Sequence, residues 1–324
     1  VRSLADAGVA PNDPRLVRAV SWLMDKQIVN TYGDWSVKNR TGKPGGWAFE
    51  FENAWYPDVD DTAVVAMALG AVDHSDPGRV RGSLARAMQW VETMQCKTGG
   101  WGAFDVDNDQ NWLNRIPYGD LKAMIDPSTA DVTARVLEMV ARCKLEDFDR
   151  DRFERGLDYL LAEQERDGAW FGRWGVNYIY GTSGALAALG PARAETRIDH
   201  AIVRGAVWLR GVQNTDGGWG ETTDSYKDPL LRGKGPSTAS QTAWALIGLL
   251  EAVQRLPVLA PEFARPLERG VDYLVSTQRP DGNWDEPEFT GTGFPVHFYL
   301  NYHQYRLHFP LSALGRYAAW RKRA

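Results

Sequence analysis

The chain has 324 residues, 44% of them hydrophobic and 24% charged, with a formal net charge of −5 at pH 7. That composition describes a globular protein with ample core material, and the acidic balance argues against a nucleic-acid binder. Two cysteines, Cys96 and Cys143, are too few for a disulfide framework and fit a reducing, cytosolic compartment; no stretch reads as a signal peptide or as an uninterrupted membrane span.

In chain order, "VRSLADAGVAP" reads as the back half of a helix, and its Val start leads us to expect a fragment whose preceding outer helix lies upstream of Val1. An outer, amphipathic helix is expected near 14–26, then a nearly all-apolar one near 62–73. "DPGRVRGSLARAMQWVETMQ" starts at Asp76 as N-cap, with Pro77 at the first helical position and one apolar face across 79–95. The alternation continues: enclosed helices near 130–143, 182–192, 237–253 and 298–320, half-exposed ones near 147–163, 199–212 and 262–277. With 1–8 also counted as inner, six inner and five outer helices predict an all-α fold, an α/α barrel of six pairs short of its first outer helix. We expect a single such domain over 1–324.

One phrase recurs five times: a helix, then Gln, Gly and Trp. The copies carry Gln27, Gly33 and Trp35; Gln95, Gly100 and Trp101; Gln164, Gly168 and Trp170; Gln213, Gly217 and Trp219; Gln278, Gly282 and Trp284. Their spacing is irregular, which argues against an array of identical units. Gly permits a tight turn after the helix, Gln can pair the freed backbone groups, and Trp covers the turn. The phrase is a structural staple, and Arg-Gly precedes the aromatic in "RGLDYL", "RGAVWL" and "RGVDYL".

Asp58, Asp60 and Asp61 stand directly before the apolar run 62–72. One Asp at a helix N-terminus is explained by capping and by the helix dipole. Three are not: crowded carboxyls in apolar surroundings cannot all ionise, so one is expected to hold its proton at neutral pH, poised to donate it. No phosphate cradle accompanies them for a Mg²⁺ site, and the histidines and cysteines have no zinc-ligand spacing, so we expect no metal and no cofactor. Aromatics are plentiful: Phe49 in "GWAFEF", Trp174, Tyr178 and Tyr180 in "FGRWGVNYIYGTSG", and Phe298, Tyr302 and Tyr305 at i, i+4 and i+7, which reads as one helical face. Such a stripe is ordinarily core. Ring faces also attract cations by about 0.5–2 kcal/mol each, so an acid beside an aromatic, water-poor cavity points to carbocation chemistry.

These residues resemble the squalene–hopene cyclases over essentially the whole chain. "DVDDTA" resembles the family's DxDD acid motif and the staples its QW repeats; "WGVNYIYGT", "STASQTAWAL", "QRPDGNWDEP", "TGTGFP" and "FYLNY…YRLHFPLSALGRY" follow in the family's order. The resemblance implies that Asp60 protonates the terminal double bond of squalene, supported by Asp58 and Asp61, with Asp131 of "DVTAR" in the same hydrogen-bonded group. It implies that Phe49, Trp174, Tyr180, Phe294, Phe298, Tyr302 and Tyr305 line the cavity, and that Ile116 to Gly119 of "IPYGD", Tyr118 among them, lie near the substrate channel. Arg135 stands where some members have His beside the acid, and Phe104 where some have Tyr. The resemblance further implies hopene and hopanol as products and a second, N-terminal barrel as partner. It implies peripheral attachment to the cytoplasmic face of the membrane and, as an expectation, a homodimer; this chain by itself is expected to be inactive. Oxidosqualene cyclases carry a DCTA-type motif and fit less well; protonating diterpene cyclases share DxDD but not the five staples with this ending. A non-enzymatic helical binding barrel, its acids serving only as caps, is the remaining reading.

Overall fold

The computed structural model describes residues 1–117 and 123–323. The chain divides into two compact units, Val1–Ala5 with Val9–Ala162, and Asp6–Gly8 with Glu163–Ala324. Its helices are α1 (Arg2–Asp6), α2 (Pro14–Asp25), α3 (Trp35–Lys38), α4 (Val59–Gly70), α5 (Pro77–Thr93), α6 (Ala130–Arg142), α7 (Arg150–Ala162), α8 (Tyr178–Leu189), α9 (Thr196–Gly211), α10 (Ala239–Arg255), α11 (Ala260–Thr277) and α12 (Tyr305–Arg321). Among the described residues the named strands form two short antiparallel ribbons: β1 (Trp47–Ala48) with β2 (Pro57–Asp58), and β3 (Gly291–Phe294) with β4 (Phe298–Leu300).

In the first unit α4 packs on α6, with α5 against α4 and α7 against α6. The sequence dictates which is inner. In α4, Val59, Ala63, Ala66, Met67 and Leu69 are buried, so most of its circumference is apolar and enclosed. α2 buries only Leu16, Val20 and Met24, one stripe at four-residue intervals, and that stripe joins Trp47, Leu69, Val72 and Ala87 in a single cluster. Asp76 caps α5 by accepting from Arg79 N at 2.9 Å, with Pro77 at the first position. In the second unit α10 packs against both α8 and α12, and α9 and α11 lie against it from outside. α8 and α10 are buried almost throughout. Among the described residues no single helix is long and apolar enough to cross a membrane.

The staples repeat one geometry. The side-chain amide of Gln95 donates to Gly99 O at 2.7 Å and to Arg152 O at 2.8 Å, tying the turn to the next outer helix. Gln164 does the same to Gly168 O and Ala201 O, and Gln213 to Gly217 O and Pro266 O. The indoles of Trp101, Trp219 and Trp284 each donate to a carbonyl ten residues upstream, those of Val91, Leu209 and Leu274. Gly99, Gly168, Gly217 and Gly282 have φ between +82° and +102°, where a side chain is strained; in the second copy the left-handed residue is therefore Gly99, not Gly100. The Arg-Gly pair also gains a reason. A Cβ on Gly156 would stand 2.6 Å from the Trp101 ring, and one on Gly270 2.7 Å from Trp219.

Three further expectations are corrected. The first staple is completed by Trp47, not by Gly33 and Trp35: Gln27 donates to Gly45 O at 2.7 Å and to Ser83 O at 2.9 Å, and the Trp47 indole donates to Leu23 O. Its turn is a long excursion, so the nearest Gly and Trp in sequence belong to the loop, where Trp35 packs edge-on against Trp90. The segment 1–8 is not an enclosed helix, since α1 holds no buried residue. Finally, Phe298, Tyr302 and Tyr305 do not share a helical face. Phe298 lies in β4 and α12 begins only at Tyr305, because "GTGF" and "FYL" pair as a hairpin, with Phe294 opposite Phe298.

Candidate active site

The acid cluster forms where β2 turns into α4. Asp58 is the N-cap, and its Oδ1 accepts from Asp61 N at 2.9 Å. Val59 N donates to Ala103 O at 2.8 Å, fixing the corner from the neighbouring loop. Capping thus accounts for Asp58 and leaves Asp60 and Asp61 in the first turn. Burial, then the charges of Asp61 and Asp60, push the Asp58 carboxyl well above its ordinary range. Burial and the charge of Asp60 raise Asp61 to about 7, against a smaller downward pull from Arg135. Burial and mutual repulsion thus favour the protonated forms of Asp58 and Asp61.

α6 supplies the opposing charge. Asp131 and Glu138 are buried on it, and Arg135 Nε donates to Asp60 Oδ1 at 3.0 Å. Arg135 Nη1 donates to Glu138 Oε2 at 3.0 Å, and Glu138 Oε1 also accepts from Arg2 Nη2 and Arg142 Nε at 2.8 Å each. Asp131 Oδ1 accepts from Val132 N at 3.0 Å. On the other side of α4, Asp61 lines a cleft of about 480 Å³ together with Trp22, Lys26, Ile28, Phe51 and Val65. Phe104 is half-buried, and its N–H donates to Asp126 Oδ2 at 2.6 Å, which holds that loop to the segment preceding α6. Phe49, in the same unit, is 53% exposed.

The second unit gathers the remaining aromatics. Tyr180 is buried edge-on against Trp244 at 4.9 Å, Trp244 meets Tyr305 at 5.9 Å, and Tyr305 stacks on Tyr302 at 4.7 Å. Trp174 is half-buried, and its carbonyl accepts from Thr292 N at 3.0 Å, so it is bonded to the strand that ends in Phe294. Phe298 is 46% exposed. Glycines make the beds for these rings: a Cβ on Gly175 would stand 2.3 Å from Tyr180, one on Gly291 2.3 Å from Tyr302, and one on Gly293 2.6 Å from Phe298. Trp244 was hidden in the reading of 237–253 as an enclosed helix. Glu138 was hidden as well. Its only signal is a Glu three residues after one Arg and four before another on α6. Tyr118 and Gly119 lie outside the described residues.

Residues 1–319 match the family model for the squalene-hopene cyclase C-terminal domain. The chain belongs to that family. It is 54% identical over 98% of its length to a dammaradiene synthase from Dryopteris crassirhizoma, of which the match covers 48%. It is 49% identical, again over 98% of its length, to a squalene–hopene cyclase from Alicyclobacillus acidocaldarius, of which it covers 49%. This squalene-hopene cyclase domain thus spans about half the length of the curated relatives it matches. Among solved structures, the type II terpene cyclase MstE from Scytonema aligns with a TM-score of 0.64 over 98% of this chain and 86% of its own, at 19% identity. That likeness carries the fold, the all-α arrangement of the α/α-barrel class.

Proposed function

We propose that the protein is a triterpene cyclase that converts squalene to hopene by protonation. The observation that carries this reading is the acid cluster: three carboxyls at one helix N-terminus, two of them pushed toward protonation by burial, and the third paired with a guanidinium. An alkene is a very weak base, so its donor needs both a retained proton and a stabilised conjugate base. Asp58 and Asp61 disfavour a fully ionised cluster, and Arg135 stabilises the carboxylate left on Asp60. We assign the delivery to Asp60: a proton kept by the cluster passes to it, and its O–H bond breaks as a C–H bond forms at the terminal double bond of squalene, leaving a tertiary cation that the substrate's other double bonds attack in turn. The family resemblance assigns Phe49, Phe104, Trp174, Tyr180, Phe294, Phe298, Tyr302 and Tyr305 as the rings that meet these cations, at about 0.5–2 kcal/mol each. Loss of a proton from the last cation gives hopene, and addition of water with loss of one of its protons gives hopanol.

Enclosure is required, because water would quench a cation early. We therefore assign the cavity to the complete protein, with an N-terminal barrel as partner, and expect this chain alone to be inactive. Attachment to the cytoplasmic membrane face and homodimer formation belong to the same proposal. A second product, dammaradiene, is favoured by the 54% identity to the Dryopteris enzyme. Incubating the complete protein with squalene and identifying the products by mass spectrometry tests the reading. Hopene supports the first form and dammaradiene the second, while unreacted squalene contradicts both.

A further inference from the structure

Glu138 is an unusual residue to find inside α6. It is 2% exposed, yet it carries a carboxylate and sits between Val136, Leu137 and Met139, all buried. A charge in that position is costly unless it is paired and hydrogen-bonded. Among the described residues three arginines pair with it. Arg2 and Arg142 reach one oxygen at 2.8 Å each, and Arg135 reaches the other at 3.0 Å. The last of these matters most, because the same guanidinium turns its Nε to Asp60 Oδ1 at 3.0 Å. An Arg side chain has a flexible stem and a rigid planar head; fixing one edge of the head on a buried anion leaves the other edge aimed.

We propose that Glu138 is a positioning residue for the acid cluster: its buried carboxylate anchors one edge of the Arg135 guanidinium so that the other edge meets Asp60. Arg2 and Arg142 neutralise the anchor and hold it in turn, so that Glu138 orients Arg135 without quenching its charge. Among the described residues the charged groups around the acids are the N-cap Asp58, Asp60 and Asp61 on α4, Asp131, Arg135 and Glu138 on α6, Asp126 in the preceding loop, and Asp25, Lys26, Glu50 and Glu52 around the cleft that Asp61 lines. The consequence for cyclisation rests on the proposed function; the consequence for the titration of the cluster does not.

The sign of one shift separates positioning from a simple field effect. Glu138→Gln removes a negative charge. If Arg135 stayed in place, the acids would then ionise more easily, and their titration would move to lower pH. If Glu138 is the anchor, Arg135 leaves, Asp60 and Asp61 lose their cation, and the titration moves to higher pH, by about one unit. Glu138→Asp keeps the charge but withdraws the anchor by one methylene; positioning predicts an upward shift here too, and a field effect predicts none. This second variant also serves if Glu138→Gln fails to fold. The readout is the infrared carboxyl titration of the complete protein without substrate, with Asp61→Asn identifying the Asp61 band. The pH–rate profile with squalene is recorded in parallel. We expect an upward shift in both variants, and no further upward shift when Glu138→Gln is added to Arg135→Gln. A downward shift in Glu138→Gln, or an unmoved titration in Glu138→Asp, overturns the proposal. A protein that leaves squalene untouched but shows the upward shifts would sink the proposed reaction and leave the role of Glu138 standing.

Discussion

Arg135 Nε lies 3.0 Å from Asp60 Oδ1, joining α6 to the first turn of α4. This contact puts a permanent cation on one member of an acid triplet and leaves burial and mutual repulsion to act on the other two. The result is a pair of carboxyls, Asp58 and Asp61, pushed toward protonation beside a cation able to stabilise a carboxylate.

That arrangement makes Asp60 the residue to remove. Asp60→Asn keeps the shape and hydrogen-bonding capacity of the side chain but has no transferable proton. In the complete protein we expect cyclisation of squalene to be abolished with a nearly unchanged melting temperature. Substantial turnover in the variant would assign the donor to another residue.

Asp61 gives a pH-dependent stability. Its carboxyl titrates at about 7 in the folded protein against 3.8 for an unperturbed Asp. Between those values the folded state binds more protons than the unfolded state, so this group's contribution falls as pH rises from about 4 to about 7. Asp61→Asn removes the dependence. Its melting temperature should match the parent near pH 4 and exceed it at pH 8, as read by calorimetry; a variant less stable than the parent at pH 8 would contradict the buried, raised carboxyl.

The staples predict a steric clash that can be relieved. Gly156→Ala would place a methyl 2.6 Å from Trp101 Cζ3 and should cost about 1–3 kcal/mol, seen as a lower urea midpoint. Trp101→Phe removes the six-membered ring that is struck. Adding it to Gly156→Ala should therefore cost less than the sum of the two single changes, and strict additivity would argue against the contact.

The periodicity of the chain made the architecture legible. Inner and outer helices could be told apart because α4 and α10 are apolar on nearly every side while α2 and α5 are so on one stripe. Periodicity could not show that the first staple spans from Gln27 to Trp47, since a loop may interpose its own Gly and Trp. It also could not show that Phe298 lies in a strand, because spacing by four and three satisfies a helix whether or not the backbone follows. At the acid, Asp58, Asp60 and Asp61 were legible from crowding alone. The link from Asp60 to Arg135 and on to Glu138 was not, because it is made across two helices.

The hairpin that carries Phe298 stores strain at Val296, a β-branched residue with φ of +74°. Val296→Gly should relieve about 1–2 kcal/mol and raise the melting temperature. Phe298→Ala, two residues on, should instead release partly cyclised products, because one cation loses its ring face. A slower reaction with the same product profile would give Phe298 a packing role.

The central claim is that the acid cluster delivers a proton to squalene, and deuterium tests it most directly. The complete protein is equilibrated in deuterated buffer and given squalene, and the cyclised hydrocarbon is weighed by mass spectrometry. Our account predicts one deuterium in each product molecule, carried on the carbon that began as the terminal double bond, and no product from Asp60→Asn. A cyclised hydrocarbon free of deuterium, or one formed as readily by Asp60→Asn, would contradict it.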